Sequence, residues 1–393
     1  MKIEAVDFFY LAMPQITTEA DGSQDALLVR VVGGGEVGWG ECEASPLVSL
    51  AAFVCPMSHG VCRPVGASVL GEQLDSPADI ARISARVAYD SMDLLQAPHT
   101  FSGIEMALWD LLGKKMSEPV WHLLGYKRSF PKRAYASQLF GETPQETLER
   151  GRSARAAGFL AVKFGWGPIG KLDPHSDREQ FRAAREGLGR DATLLVDAGQ
   201  IWREDVEAAA ARIPDLEAAE ALWLEEPFAA GAYSAYAELA KRSAKVKLAG
   251  GEAAHNAAMA EHLMTYGNVG FIQIDCGRIG GIGPAKTVAD RAAARGITFV
   301  NHTFTSHLAL SASLQPFAGL ENHRLCEFPF APKPLATAIT ANHLTPNDAG
   351  EIAAPERPGL GMEIDLPGLQ PYLQEVEISV NGQSLYRTPQ LAL

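Results

Sequence analysis

Positive charge is scarce in this chain: 34 Lys and Arg stand against 47 Asp and Glu, a formal net charge of −13. No Lys/Arg-rich run offsets that deficit locally, so nucleic acid and anionic membrane surfaces are poor partners. Long apolar runs are also lacking. The longest, around Leu47 to Val54, is interrupted by Ser49 and closed by Pro56, far short of the ~20 residues a membrane span needs. Met1 to Asp7 mixes acids with β-branched residues and has no uninterrupted apolar stretch of the signal-peptide kind, so it reads as a first strand. The five cysteines, Cys42, Cys55, Cys62, Cys276 and Cys326, are odd in number and show no C-x-x-C spacing. Neither a disulfide framework nor a cysteine zinc site is indicated, and a reducing cytoplasm is the expected setting. The ten histidines contain no His-x-His or His-Glu-x-x-His pair, which disfavours zinc hydrolase chemistry.

What is present is an ordinary globular composition, 47% hydrophobic and 21% charged over 393 residues, long enough for two to three domains or for one barrel with additions. Leu27 to Val32 and Val37 to Cys42 flank Gly33-Gly34-Gly35, the pattern of a strand, a glycine turn and a strand. The same glycines match G-x-G-x-x-G, but a dinucleotide site needs a helix to begin there, and β-rich residues follow instead. Asp75 to Gly125 turns helical in period, so residues 1–128 read as a small α+β domain. From about Arg133 the chain alternates short apolar runs with helical stretches, and Thr143-Pro144-Gln145-Glu146 has the N-cap, N1 proline and N3 glutamate of a helix start. The apolar runs are Ala134 to Phe140, Leu160 to Phe164, Thr193 to Val196, Ala221 to Leu224, Val246 to Ala249, Phe271 to Ile274, Ile297 to Val300, and a weaker one near Leu325. Eight β-then-α units predict an α/β fold, a closed (β/α)₈ TIM barrel over residues 129–331. Residues 332–393 begin Pro-rich and end in an alternating stretch around Asn381-Gly382, a hairpin signal, and are expected to pack back on the first domain.

Chemistry in such a barrel collects where strands end and the following loops begin. The residues closing the runs are almost all ionisable: Lys163, Asp197, Glu225 with Glu226, Glu252, Asp275, His302 and Glu327. One Asp after a strand is ordinarily a turn former or helix cap; seven such positions in register are not. Three carboxylates on adjacent strands, Asp197, Glu225 and Glu252, are reconciled by one divalent cation, and all-oxygen ligands suit Mg²⁺, with Mn²⁺ as a substitute. His302 and Asp275 close neighbouring runs, where a carboxylate holds an imidazole's tautomer and raises its basicity: an acid/base dyad. His307, a few residues on, is the weaker candidate.

These residues resemble the enolase superfamily and, within it, the mandelate racemase subgroup. The resemblance spans nearly the whole chain: Ala107-Leu108-Trp109-Asp110-Leu111, Lys114 and Pro119 to Gly125 of the capping domain, then Val196 to Gln200, Trp223 to Pro227, Gly251-Glu252, Gln273-Ile274-Asp275, Gly280-Gly281 and Asn301-His302. It implies that Asp197, Glu225 and Glu252 hold Mg²⁺, which binds the carboxylate of a small-molecule hydroxy acid and stabilises the enediolate left when an α-proton is removed. It also implies His302 and Asp275 as the dyad and Glu327 as a hydrogen-bonding group. Glu226 reads as a supporting or structural neighbour. Barrel enzymes of this family commonly assemble, so a homo-oligomer is expected.

The chain departs from the subgroup at the end of the second barrel strand, where Lys-x-Lys is usual and Lys163-Phe164-Gly165 stands instead. Side chains two apart on a strand share a face, so Lys163 still points into the site while Gly165 supplies nothing. Three roles remain open for Lys163: polarising the substrate carboxylate, acting as a displaced base, or making a structural ion pair. Racemisation needs a proton donor on each face of the enediolate, whereas dehydration needs one base and an acid for the departing β-hydroxyl. The expectation is therefore a Mg²⁺-dependent dehydratase of an acid sugar, giving a 2-keto-3-deoxy acid. A racemase or epimerase comes next; a cycloisomerase follows, because that branch normally has a lysine where this chain has Asp275. A non-catalytic binding barrel is the alternative from another class. Substrate contacts are sought in Arg278 and Trp166 and in two capping loops, Gln15 to Asp25 and Ala44 to Arg63, with Thr18, Glu19, His59 and Arg63 as candidates.

Overall fold

The computed structural model describes residues 1–43 and 45–391. Its first layer is an antiparallel sheet of β1 (Ile3–Ala12), β2 (Asp25–Gly33) and β3 (Glu36–Cys42). Gly34 and Gly35, at φ +58° and +80°, turn the β2–β3 hairpin, so the glycine triplet serves a turn whose twist suits the strands. Gly38 and Gly40 let β3 lie directly on a helix: an added Cβ would fall 2.1 Å from the carbonyl oxygens of Ala107 and Gly103 respectively. Helices α1 (Pro46–Val54), α2 (Pro77–Asp90) and α3 (Ala97–Met116) complete the capping layer. The second expected loop, which begins at Ala44 outside the described residues, is therefore helical over much of its length. Pro46 sits in its first turn, and Leu50 and Phe53 are buried in the core. Gln15 to Ala20 is exposed and irregular; a short turn at Gly22–Gln24 follows, with Ser23 and Gln24 buried, and Asp25 opens β2.

Eight parallel strands follow: β4 (Lys132–Leu139), β5 (Ala161–Gly165), β6 (Thr193–Asp197), β7 (Ala221–Glu225), β8 (Lys247–Gly250), β9 (Phe271–Asp275), β10 (Thr298–His302) and β11 (Leu325–Pro329). They coincide with the eight apolar runs, and helices fill the intervals; Thr143 caps the helix Pro144–Ala156 as its motif implies. Tyr135, Ala161, Leu195, Trp223, Ala249 and Val300 form an apolar floor inside the barrel. Backbone pairing runs from β10 through β9 and β4 to β11, and a side chain bridges the remaining seam. The Asn301 amide donates to the Glu327 carbonyl at 3.3 Å and accepts from the Glu327 N–H at 2.8 Å, standing in for a ladder that the backbones do not make there.

The cap is fastened to the barrel by a carboxylate. Glu105 of α3 accepts from the N–H groups of Ile282 (2.7 Å) and Gly283 (2.9 Å), the opening residues of helix Ile282–Ala294, where orphan donors and the helix dipole favour negative charge. The chain then adds β12 (Glu351–Ile352) antiparallel to β4 and β13 (Leu373–Gln374) alongside β1. A final hairpin, β14 (Glu377–Val380) and β15 (Gln383–Arg387), turns through Asn381 and Gly382, both at positive φ. The Tyr386 hydroxyl donates to the Phe8 carbonyl at 2.5 Å, so the tail returns to the first sheet. No described helix is long and apolar enough to cross a membrane.

Replacing Asn301 with Ala leaves the buried Glu327 backbone groups without these partners, and the expected loss is about 1–3 kcal/mol in urea unfolding. Unchanged stability would mean that the seam does not depend on this amide.

Candidate active site

Parallel register puts the chemistry on one rim. Gly165 lies opposite Asp197, Asp197 opposite Glu225, and His302 opposite Asp275. Glu252 follows β8 by two residues, after Gly251 at φ +123°. Every one of these side chains is buried or nearly so, and they resolve into two connected clusters.

In the first, the Lys163 ammonium lies 2.6 Å from Glu225 Oε1, 2.8 Å from Glu327 Oε1 and 3.9 Å from Asp197 Oδ2. Burial would lower the Lys163 pKa, but Glu225 and Glu327 outweigh it and hold the group well above its ordinary value. Lys163 is thus held as an ammonium between these carboxylates. Burial, with the neighbouring carboxylates, lifts Asp197 to about 7 and Glu225 to about 8 against the pull of Lys163. Glu226 is lifted similarly, to about 8, and accepts from Gln200 Nε2 at 2.7 Å. Gly165 is closely approached: an added Cβ would lie 2.8 Å from Asp197 Oδ2 and 3.2 Å from Asp197 Cβ.

In the second cluster, His302 Nδ1 lies 2.6 Å from Asp275 Oδ2, and its Nε2 lies 3.2 Å from Glu252 Oε2 and 4.0 Å from Glu327 Oε2. Burial opposes the charged imidazole, but Glu252, Glu327 and Asp275 together raise His302 to about 10. The Asp275 carboxylate also accepts from the Gly277 N–H at 2.5 Å, which fixes its orientation. A cavity of about 330 Å³ opens over both clusters; its wall includes Lys163, Gly165, Trp166, Asp197, Glu252, Arg278, His302 and Glu327. Trp166 is half-exposed, at φ +57°, with its ring packed on Gly199.

The structure thus brings nine sequence candidates to one rim and leaves four elsewhere. Glu19 is exposed and pairs with Lys333 at 3.1 Å, and Thr18 lies in the same exposed stretch. His59 pairs with Asp93 at 2.8 Å and Arg63 with Asp90 at 3.6 Å; both sit among the capping helices, away from the cavity wall. The first loop reaches the cavity through Ala20, Asp21 and Gly22 instead. Sequence reasoning missed Ser137, Glu43 and Glu41. Glu43 lines the cavity and is held bidentately by Arg278, Nε to Oε2 at 2.6 Å and Nη2 to Oε1 at 2.9 Å. Glu41, lifted by burial to about 7, bonds the Ser306 hydroxyl. The available signal was two acids flanking Cys42 at the end of an otherwise apolar strand.

Asp197, Glu225 and Glu252 suit a hard divalent cation by donor chemistry, being all-oxygen, buried and mutually repelling. Their side chains are turned onto Lys163, Arg278 and His302, and among the described residues no three His, Cys, Asp or Glu side chains converge in a ligand geometry.

A capped barrel with a carboxylate cluster and a His–Asp pair at its C-terminal rim has the architecture of a barrel enzyme. Residues 9–125 match the mandelate racemase / muconate lactonizing enzyme N-terminal domain, and residues 146–368 match the enolase C-terminal domain-like family. The chain belongs to the mandelate racemase/muconate lactonizing enzyme group of the enolase superfamily. It is 27% identical over 354 residues to D-galactarolactone cycloisomerase of Agrobacterium fabrum, covering 85% of this chain and 87% of that one. It is 30% identical over 297 residues to D-galactonate dehydratase of Klebsiella pneumoniae, covering 71% and 72%. The crystal structure of a predicted mandelate racemase from Rhodobacter sphaeroides superposes with a TM-score of 0.95 at 68% identity, covering 99% of this chain and 100% of that one.

Glu252→Gln is expected to weaken Mg²⁺ binding by about 10–100-fold in titration calorimetry, with the fold intact. Because burial and neighbouring carboxylates lift Asp197 and Glu225 above the ordinary carboxylate range, protons compete with the cation for them, and wild-type Mg²⁺ affinity should fall as pH is lowered. Unchanged affinity in the variant would remove Glu252 from the ligand set.

Proposed function

We propose that this protein is a Mg²⁺-dependent dehydratase of an acid sugar, removing the α-proton of a hydroxylated carboxylic acid and expelling its β-hydroxyl. The observation that supports this reading best is the asymmetry of the site. One side holds His302, aligned by Asp275 at 2.6 Å; the strand that ordinarily supplies a second base holds Gly165 and a Lys163 clamped by two carboxylates. One working base suits elimination better than inversion of a stereocentre, which needs proton transfer on both faces.

Mg²⁺ held by Asp197, Glu225 and Glu252 would supply fixed positive charge beside the substrate carboxylate. Asp275 holds the imidazole by Nδ1, and Nε2, which faces Glu252 at 3.2 Å, would take the substrate α-proton once Glu252 is drawn to the cation and the imidazole is neutral. Lys163 and Glu327 stand where charge accumulates on the carboxylate as that proton departs: the ammonium stabilises it, and Glu327 positions the ammonium. Once protonated, His302 returns its proton to the departing β-oxygen if that oxygen lies on the same face. The product enol then tautomerises to a 2-keto-3-deoxy acid.

The same sequence with the β-oxygen tied into a ring opens the ring without releasing water. The relative named as a cycloisomerase makes this the second reading, and product mass separates the two. A library of aldonic and aldaric acids and their lactones is incubated with enzyme and Mg²⁺ and read by mass spectrometry. A keto acid lighter than its substrate by one water, absent with EDTA and reduced about 10²–10⁴-fold in His302→Asn, is the expected result. An isomer of unchanged mass formed only from a lactone favours ring opening, and full activity in His302→Asn would overturn the one-base mechanism.

A further inference from the structure

We infer that the substrate has a single carboxylate, as an aldonic acid does, and that Glu43 excludes aldaric acids by occupying Arg278. This deepens the acid-sugar reading and rests on it. Among the described residues that line the cavity, the permanently cationic side chains are Lys163 and Arg278, and each is already matched. Lys163 is taken by Glu225 and Glu327 at the reaction centre. Arg278 gives one edge of its guanidinium to both oxygens of Glu43, at 2.6 and 2.9 Å, and its remaining nitrogen approaches Glu252 at 3.3 Å. The planar fork that could bind a second substrate carboxylate bidentately is therefore spent on the capping domain's own carboxylate.

Glu43 is built into this position. Its backbone N–H donates to the Gly277 carbonyl at 3.3 Å, and a Cβ on Gly277 would come within 2.7 Å of Glu43 Cβ, so the glycine beside Arg278 is what allows the capping strand to approach. The rest of the outer wall is neutral or acidic: Ala20, Asp21, Gly22, Ser137, Gln138, Leu139, Trp166 and Phe304. Two further cations lie beside this wall and are engaged: Lys333 is paired with Glu19 at 3.1 Å and Asp21 at 3.6 Å, and Arg150 donates to the carbonyls of Leu139 at 2.9 Å and Phe140 at 3.1 Å. A distal carboxylate would face Glu43 and Asp21 with no free cation among the described residues that line the cavity, whereas a distal hydroxymethyl group would donate to either.

The test compares D-galactonate with galactarate, and D-gluconate with D-glucarate. Each pair differs only in whether C6 is an alcohol or a carboxylate, and binding is measured by calorimetry with Mg²⁺ present, independently of turnover. Wild-type enzyme is expected to bind the monocarboxylate of a pair roughly tenfold or more tightly than its partner. Glu43→Gln, which keeps the shape and frees Arg278, should narrow or reverse that preference by a similar factor. Tighter binding of a dicarboxylate by wild-type enzyme overturns this inference and leaves the acid-sugar reading standing; the comparison holds even if the variant does not fold. A folded Glu43→Gln with the wild-type preference removes Glu43 from the selection. Failure of all four acids to bind a Mg²⁺-loaded enzyme overturns both readings together.

Discussion

The site depends on balancing buried negative charge. Asp197, Glu225, Glu226, Glu252, Asp275 and Glu327 crowd one barrel rim, each buried or nearly so, and isolated carboxylates in such a place would protonate or force the rim apart. Lys163, Arg278 and His302 are placed among them at ion-pair distance. Those three groups tie strands β5, β7, β9, β10 and β11 together, so the arrangement that balances the rim's charge also orients the groups proposed to act on substrate. A buried ion-pair network of this kind adds little net stability, and its retention at a cavity mouth is best understood as serving binding and proton transfer.

Close backbone approaches make the geometry possible. Gly38 and Gly40 bring β3 onto α3, Gly277 admits Glu43, and Gly165 leaves room for Asp197. Glu105 caps helix Ile282–Ala294 from across the domain boundary, and this fixes the loop from Asp275 to Gly281 that contains Arg278. Cap and barrel therefore share the site: the barrel supplies the His302–Asp275 pair and the carboxylate cluster, and the cap, through Glu43, engages Arg278 in the cavity wall.

The barrel was legible because strands buried on both faces read as continuous apolar runs, and because each run ends in an ionisable residue at the rim where chemistry collects. Asp197, Glu225, Glu252, Asp275 and His302 could be named from that pattern with the family resemblance beside it. Glu43 could not: its partner Arg278 lies 235 residues away, and no local period reports a tertiary ion pair. Polar residues on the capping loops misled for the same reason. His59 and Arg63 have the side chains of ligand contacts but find Asp93 and Asp90 instead. The helix at Pro46–Val54 had a readable start in Ser45-Pro46, yet its apolar face is too continuous to show a helical period. Lys163 was readable as inward-facing, but its role turns on Glu225 and Glu327, whose distances only the closed barrel sets.

One working base is the central claim, and the stereochemistry of hydrogen exchange tests it most directly. Partial turnover of a substrate in D₂O, followed by NMR of the recovered acid, reports which face of the α-carbon receives a proton. With His302 as the only base, any deuterium at the α-carbon enters with retention of configuration, and exchange disappears in His302→Asn. Deuterium incorporated with inversion, or exchange persisting in that variant, would show a second base at work and contradict the assignment of Lys163 as a clamped ammonium.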